Sequence, residues 1–142
     1  MSPPRRAASP TRLERPDLNT PGSTLVLVDT SVWVDHLRHG EAALAALLEA
    51  GRVLGHPFVL GELSLGGLRD PDTVLGALAA LPQAIVATDA EVLGFIARHG
   101  LAGSGIGYLD AHLLAATRLT RDARLWTRDR RLARAAERLS LA

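Results

Sequence analysis

The chain has 142 residues, a length typical of a single domain with a full hydrophobic core. It contains no cysteine, which excludes disulfide bonds, iron–sulfur clusters and thiolate zinc sites. Hydrophobic residues make up 47% of it and the net charge is only +1, so the charge total does not indicate a general affinity for nucleic acid.

Residues 1–24 are rich in Pro, Ser, Thr and Arg, a composition typical of disordered segments. They lack the apolar core of a secretory signal, and no apolar stretch in the chain reaches transmembrane length. We therefore expect residues 1–24 to be a disordered extension or a gene-start artefact. The folded domain is expected over residues 25–142, in a cytoplasmic protein.

From residue 25 onward, short apolar runs alternate with helix-like segments. Strands are predicted at residues 25–28, 52–55, 84–87 and 124–127, with a frayed final strand at 139–142. Helices are predicted at residues 31–38, 41–50, 57–65, 71–80, 89–99, 108–120 and 128–139. This alternation predicts an α/β fold with a parallel sheet of four to five strands.

Residues typical of helix ends support several of these boundaries. Pro57 suits the first turn of a helix, because its missing N–H has no helical acceptor there. Thr88 is the expected N-cap of the helix that follows it, and Gly51 is expected just beyond the end of another helix.

Four acidic residues lie at places where a carboxylate needs an explanation. Asp29 and Asp129 each follow a predicted strand, and ligands of parallel sheets bind beyond the carboxyl ends of strands. Glu62 and Asp110 lie on predicted helices among apolar neighbours.

Each of the four acids also has a structural explanation of its own. Asp29 and Asp129 could cap helices. Asp110, in a first helical turn, could stabilise the helix dipole. Glu62 could lie on an exposed helix face, although its apolar flanks favour a pocket-facing side chain. The four together point more strongly to a site than any one of them does.

Clustered carboxylates repel one another, and a hard divalent cation such as Mg²⁺ or Mn²⁺ removes that repulsion. Such ions can activate water and neutralise charge on a phosphoryl group. We therefore interpret the four acids as a metal site. Thr30, Ser31 and Thr127 adjoin these acids and could position waters or a phosphate oxygen.

Other residue patterns give weaker alternatives. His36 and His39 could hold zinc, but no cysteine accompanies them. Trp33 and Trp126 are expected in the core rather than as base-stacking platforms. Arg128, Arg130 and Arg131 belong to a basic C-terminal stretch that is either a solvated helix face or a rim contacting RNA phosphates.

Four sequence blocks resemble the motifs of PIN-domain ribonucleases, and most closely the VapC-type toxins of bacterial toxin–antitoxin pairs. The blocks are VDTSVWVDHLR at residues 28–38, PFVLGEL at 57–63, IGYLDAHLLAA at 106–116 and LWTRDRRL at 125–132. The resemblance covers the chain from about residue 25 onward. Any one block alone would be a weak signal, but the four in this order and spacing are specific.

The resemblance implies a three-layer α/β/α sandwich and a Mg²⁺- or Mn²⁺-dependent endoribonuclease that acts as the toxin of a type II toxin–antitoxin system. It implies that the catalytic, metal-binding acids are Asp29, Glu62, Asp110 and Asp129, and that Thr127 is the hydroxyl residue preceding the last acid. It further implies an RNA substrate (tRNA, rRNA or mRNA), a small cognate antitoxin and a homodimer.

Two other functions remain open from the sequence. A catalytically silent PIN-like module could bind RNA or protein without cleaving it. A metal-dependent phosphatase of small molecules is the other possibility, although Asp29-Thr30-Ser31 lacks the paired acids that an aspartyl-phosphate mechanism uses.

Overall fold

The computed structural model describes residues 24–142 and has a parallel sheet at its centre. The strands are β1 (Leu25–Val28), β2 (Val53–Leu54) and β3 (Ala123–Trp126), in the order β2-β1-β3. All pairings are parallel, and β1 and β3 end level because Val28 pairs with Trp126. The central strand β1 is apolar throughout, as expected for a strand covered on both faces.

Within residues 24–142, seven helices flank this sheet, and the first six supply the crossovers between its parallel strands. They are α1 (Thr30–His39), α2 (Ala42–Glu49), α3 (Pro57–Ser64), α4 (Pro71–Ala79), α5 (Asp89–Arg98), α6 (Tyr108–Leu119) and α7 (Arg130–Arg138). Helices α1 and α2 connect β1 to β2, and α3 to α6 connect β2 to β3. The architecture confirms the predicted α/β sandwich with a parallel sheet.

The sequence signals at the helix ends are confirmed. Pro57 occupies the first turn of α3, and Thr88 forms a capping box with Glu91 at the start of α5. Gly51 follows α2 with a φ of 69°, a left-handed conformation that favours glycine. These local rules placed the helices within one or two residues of their observed ends.

The predicted strand count of four to five is wrong for the described part of the chain, where three strands form. Residues 84–87 do not form a strand: Gln83, directly before them, makes a single bridge to Gly55, and Ala84 N donates to Gly55 O at 2.9 Å. The next amide, that of Ile85, donates instead to Thr120 Oγ1 at 2.8 Å. Pairing stops there because β2 itself is only two residues long.

The predicted final strand at residues 139–142 also does not form. Its backbone link to the sheet is a 2.7 Å hydrogen bond from Leu125 N to Leu141 O, and the side chain of Arg124 in β3 donates to Ala142 O at 2.7 Å. The side chain of Leu141 is nevertheless buried, so this segment packs against the core without joining the ladder.

A single apolar core lies between the sheet and the helices. Helix α6 is its most buried helix, with every residue from 111 to 117 buried. Trp33 and Trp126 are 4% and 2% exposed, which confirms that both are core residues rather than open stacking platforms. Truncating a fully buried leucine such as Leu27 would cost about 2–5 kcal/mol of stability.

Between residues 24 and 142, no helix is both long and apolar enough to cross a membrane. The predicted N-terminal extension, residues 1–24, lies outside the described residues apart from Thr24.

Candidate functional site

The sheet brings the segments that carry two of the four acids to the same edge. Asp29 follows the last residue of β1 and Asp129 lies three residues beyond the end of β3. Because β1 and β3 are neighbours and end level, the segments that leave them begin at the same edge of the sheet. This is the edge at which parallel sheets bind ligands.

Asp29 is held by two hydroxyl groups rather than used as a helix cap. It occupies the N-cap position of α1, yet its side chain makes no capping hydrogen bond. Its Oδ2 atom accepts hydrogen bonds from Thr127 Oγ1 at 2.7 Å and from Ser31 Oγ at 2.9 Å. With Asp29 only 7% exposed, these bonds fix its orientation and compensate for its burial.

Glu62 reaches this region from helix α3. Its Oε1 atom accepts a 2.7 Å hydrogen bond from Thr30 Oγ1, the residue after Asp29. The side chain is exposed, so Glu62 is at once on an open helix face and attached to the segment that carries Asp29. The apolar residues that flank it, Val59 and Leu63, are buried in the core instead.

Asp110 lies in the first turn of α6, where its Oδ2 atom accepts a 3.3 Å hydrogen bond from the backbone N–H of Gly107. Partial burial raises the pKa of Asp110, although the Gly107 N–H works against this effect. The negative charges of Asp29, Asp129 and Glu62 raise its pKa further. The pKa of Asp110 therefore responds to the charges of all three other acids.

Asp129 serves partly as a helix cap, as one interpretation of the sequence allowed. Its Oδ1 atom accepts a 3.0 Å hydrogen bond from Leu132 N, so Asp129 is the N-cap of α7. The backbone N–H of Asp129 in turn donates to Thr127 Oγ1 at 3.1 Å. The hydroxyl of Thr127 thus connects the segments that carry Asp29 and Asp129.

The four acids form a loose group rather than a closed metal cage. Across residues 24–142, no three His, Asp or Glu side chains are arranged to hold one ion together. Their chemistry nevertheless fits a hard cation, because all four donors are carboxylates and the charges of the other three raise the pKa of Asp110. Mg²⁺ usually takes only one or two carboxylates directly and retains several waters, which suits a loose arrangement of this kind.

The three arginines predicted as an RNA rim have different surroundings. Arg130 and Arg131 are exposed, and the side chain of Arg131 lies over Gly105, where an added Cβ would come within 2.9 Å of Arg131 Cδ. Arg128 is instead half-buried, and its guanidinium forms ion pairs with Asp35 and Glu41. Sequence reasoning missed these two partners because nothing in the local sequence connects them to Arg128.

The histidines do not form a zinc site in the described part of the chain. The Nδ1 atom of His36 accepts the backbone N–H of Glu41 at 3.0 Å, which holds the turn before α2. His112 is 2% exposed and its Nε2 atom lies 3.1 Å from Asp89 Oδ1. The hydroxyl of Tyr108 donates to the same Asp89 oxygen at 2.8 Å, a connection that the sequence did not indicate.

A groove of about 720 Å³ begins at Thr30 and Glu62 and continues between α1, α3 and the start of α4. Its lining is mainly apolar, with basic residues at its side; it includes Val34, Leu37, Arg38, Leu63, Arg69 and Val74. A partner in this groove would therefore lie directly beside Glu62.

Comparison with known proteins agrees with this geometry. The chain is 48% identical over 108 residues to Ribonuclease VapC32 of Mycobacterium tuberculosis, in both strain CDC 1551 / Oshkosh and strain ATCC 25618 / H37Rv. That alignment covers 76% of this chain and 87% of each relative. The family model of the PIN domain matches residues 26–138. The chain therefore belongs to the PIN-domain family and is a VapC-type member of it.

Proposed function

We propose that this protein is a metal-dependent endoribonuclease, the toxin of a type II toxin–antitoxin pair. The observation that carries the proposal is the set of hydrogen bonds that joins Asp29 to Thr127, two residues before Asp129, and Glu62 to Thr30, directly after Asp29. The negative charges of these three acids also raise the pKa of Asp110. The similarity to a protein named a ribonuclease supports RNA as the substrate. Because RNA is the substrate, the cytoplasm is the proposed place of action.

The metal would be Mg²⁺ or Mn²⁺, bound among Asp29, Glu62, Asp110 and Asp129. Some of these carboxylates would act through water, because Mg²⁺ seldom takes more than one or two directly. When bound, the ion would supply an activated water and neutralise the charge that develops on the scissile phosphate.

The chain's own residues prepare the site for this chemistry. Thr127 and Ser31 orient Asp29, so that its free oxygen, Oδ1, has a defined direction. Thr30 does the same for Glu62. Such hydrogen bonds from neighbouring side chains typically govern how well carboxylates bind a metal. Arg130 and Arg131, at the start of α7 next to Asp129, are proposed to contact RNA phosphates.

The groove beside Glu62 is the proposed place for a segment of the cognate antitoxin. The apolar lining of the groove would bind the apolar side chains of such a segment. Arg38 and Arg69 would form ion pairs with the acidic residues of the segment. Helix α5 also exposes Leu93, which is 60% accessible. A homodimer through this face is part of the proposal, and light scattering of the purified protein would test it.

The decisive experiment is cleavage of total RNA by the antitoxin-free protein, with Mg²⁺, with Mn²⁺ and with EDTA. We expect discrete fragments that require a metal, and we expect Asp29→Asn to remove most of the activity. The variant replaces a charged ligand without changing core volume, so its circular dichroism spectrum and melting temperature should remain close to those of the unmodified protein.

If the folded protein binds RNA but never cleaves it, the proposed nuclease is wrong and the silent binding module takes its place. If cleavage persists undiminished in folded Asp29→Asn, the proposed role of Asp29 is wrong. Mapping the ends of the fragments would identify the RNA that is cut.

A further inference from the structure

The side chain of Arg128 joins three parts of the fold. It leaves the segment after β3 and forms ion pairs with Asp35, on α1, and with Glu41, the N-cap residue of α2. The partners lie 93 and 87 positions away in the sequence. The guanidinium also lies 5.9 Å from the ring centre of Trp126, a buried residue of β3. Arg128 is therefore fixed on several sides.

The backbone of Arg128 is attached directly to the acidic site. Its N–H donates to Ser31 Oγ at 3.0 Å, and the same Ser31 hydroxyl donates to Asp29. Its two neighbours in sequence are Thr127, which also donates to Asp29, and Asp129. The side chain holds this three-residue segment from one side, and the hydroxyl bonds hold it from the other.

The charges around Arg128 argue against a direct contact with RNA. Two carboxylates already neutralise the guanidinium, and it is only 29% exposed. Moving it to a phosphate would leave Asp35 and Glu41 unpaired close to a polyanion, which is unfavourable. Arg130 and Arg131, in contrast, are exposed and take part in no ion pair among the described residues.

We propose that Arg128 is a positioning residue, whose ion pairs with Asp35 and Glu41 hold Thr127 and Asp129 in register with Asp29. The inference rests on the proposed nuclease function. It assigns Asp35 and Glu41 to the same task, although neither lies among the four acids. Loss of the bridge would loosen the metal site without removing any contact to the substrate.

The first test compares Arg128→Lys with the unmodified protein. Lysine keeps one positive charge, but its single ammonium group cannot reproduce the forked geometry with which arginine pairs two carboxylates. We expect kcat to fall about 10- to 100-fold and Mn²⁺ binding to the RNA-free protein, measured by calorimetry, to weaken by a similar factor. KM for RNA and the salt dependence of RNA binding should stay unchanged.

The second test removes the partners and leaves Arg128 in place. The double variant Asp35→Asn/Glu41→Gln keeps side-chain size and the acceptor that caps α2, but it frees the guanidinium. A positioning role predicts the same losses of kcat and of Mn²⁺ affinity as in Arg128→Lys. A direct RNA contact predicts tighter RNA binding with kcat retained, because the arginine is then released. If Arg128→Lys fails to fold, this variant decides the matter.

Arg121→Ala is the matched control. Arg121 also belongs to an ion pair, with Asp122, but the pair is exposed and lies before β3, at the end of the strand away from the acids. The Arg121→Ala substitution should leave kcat, KM and Mn²⁺ affinity unchanged.

The proposal is overturned if Arg128→Lys raises KM and lowers the salt dependence, as a lost phosphate contact would. Unchanged kcat and unchanged Mn²⁺ affinity in both Arg128→Lys and Asp35→Asn/Glu41→Gln would also overturn the proposal. If the unmodified protein does not cleave RNA at all, the nuclease function fails instead, and Mn²⁺ binding still reports on the positioning role.

Discussion

Thr127 Oγ1 donates a 2.7 Å hydrogen bond to Asp29 Oδ2, although the two residues are 98 positions apart. The bond follows from the sheet, because β1 and β3 are adjacent, parallel and end level at Val28 and Trp126. Thr127 is 2% exposed and Asp29 is 7% exposed, so water competes little for the bond. We therefore expect Thr127 to contribute both to the stability of the fold and to the orientation of Asp29.

Replacing Thr127 with Val tests this double role. Valine has nearly the same shape but no hydroxyl, so Asp29 loses one donor and the N–H of Asp129 loses its acceptor. We expect the free energy of unfolding to fall by about 1–3 kcal/mol, because a buried acceptor is left short of a partner. We also expect the cleavage rate to fall on the order of tenfold. Urea denaturation in EDTA and an RNA cleavage assay measure the two effects.

Thr127→Ser is the control for this prediction, because it keeps the hydroxyl and removes only a methyl group. It should retain most of the activity. A valine variant as stable and as active as the unmodified protein would show that the bond to Asp29 has neither role.

Asp110→Asn should stabilise the metal-free protein at neutral pH while removing activity. Burial and the neighbouring acids raise the pKa of Asp110 in the folded state above its ordinary value of 3.8. Folded protein therefore binds the proton more tightly than the unfolded chain, and stability falls as pH rises from 3.8 through the folded-state pKa. The asparagine side chain carries no charge for the neighbouring acids to repel. The melting temperature of Asp110→Asn in EDTA should therefore exceed that of the unmodified protein at pH 7.

The advantage of Asp110→Asn should disappear below pH 3.8, where Asp110 is protonated in both states. Adding Mg²⁺ at pH 7 should raise the melting temperature of the unmodified protein more than that of the variant, because a ligand that binds only the folded state stabilises it. Equal responses to Mg²⁺ would exclude Asp110 from the metal site.

The double variant Arg130→Ala/Arg131→Ala tests the RNA rim. Each arginine that contacts a phosphate contributes roughly one unit to the slope of log K against log salt concentration. We expect RNA binding to weaken and that slope to decrease by about one to two units, with kcat at saturating RNA little changed. Filter binding at several salt concentrations measures the slope, with Arg121→Ala as the control. An unchanged slope would identify the start of α7 as a solvated face.

Local sequence rules predicted the helices well but overestimated the sheet. Pro57, Pro71 and Thr88 each mark a helix start by chemistry that acts within a few residues. The run at residues 84–87 is as apolar as a strand, but in the described part of the chain its bridge partner is Gly55, directly after the two-residue strand β2. Whether such a run becomes a strand depends on a partner strand elsewhere in the chain, and a local sequence pattern does not predict whether that partner is present.

The same limit applies to the candidate site. The four acids could be proposed as a site because each lies beside a recognisable strand or helix motif, and the resemblance assigned them together. The hydroxyl bonds of Ser31 and Thr127 to Asp29 and the ion pairs of Arg128 depend on tertiary contacts. Counting charges grouped Arg128 with the exposed arginines, although its surroundings differ from theirs.

His56 provides the last prediction, which concerns stability at acid pH. It is 2% exposed, and its Nδ1 atom accepts the backbone N–H of Phe58 at 3.0 Å, which caps α3. Burial, followed by the nearby His112, lowers the pKa of His56 to about 4. The unfolded chain binds this proton more readily, so stability is retained above about pH 6.5 and lost as pH falls toward 4.

His56→Asn separates this titration from the capping role. Asparagine is a good N-cap residue and can accept the same N–H of Phe58, but it does not ionise. The free energy of unfolding of His56→Asn in EDTA should therefore depend less on pH between 6.5 and 4 than that of the unmodified protein. The two proteins are compared by urea denaturation at half-unit pH steps. Parallel curves over this range would mean that His56 does not account for the acid sensitivity, because removing its imidazole would then have removed no proton-linked step from folding.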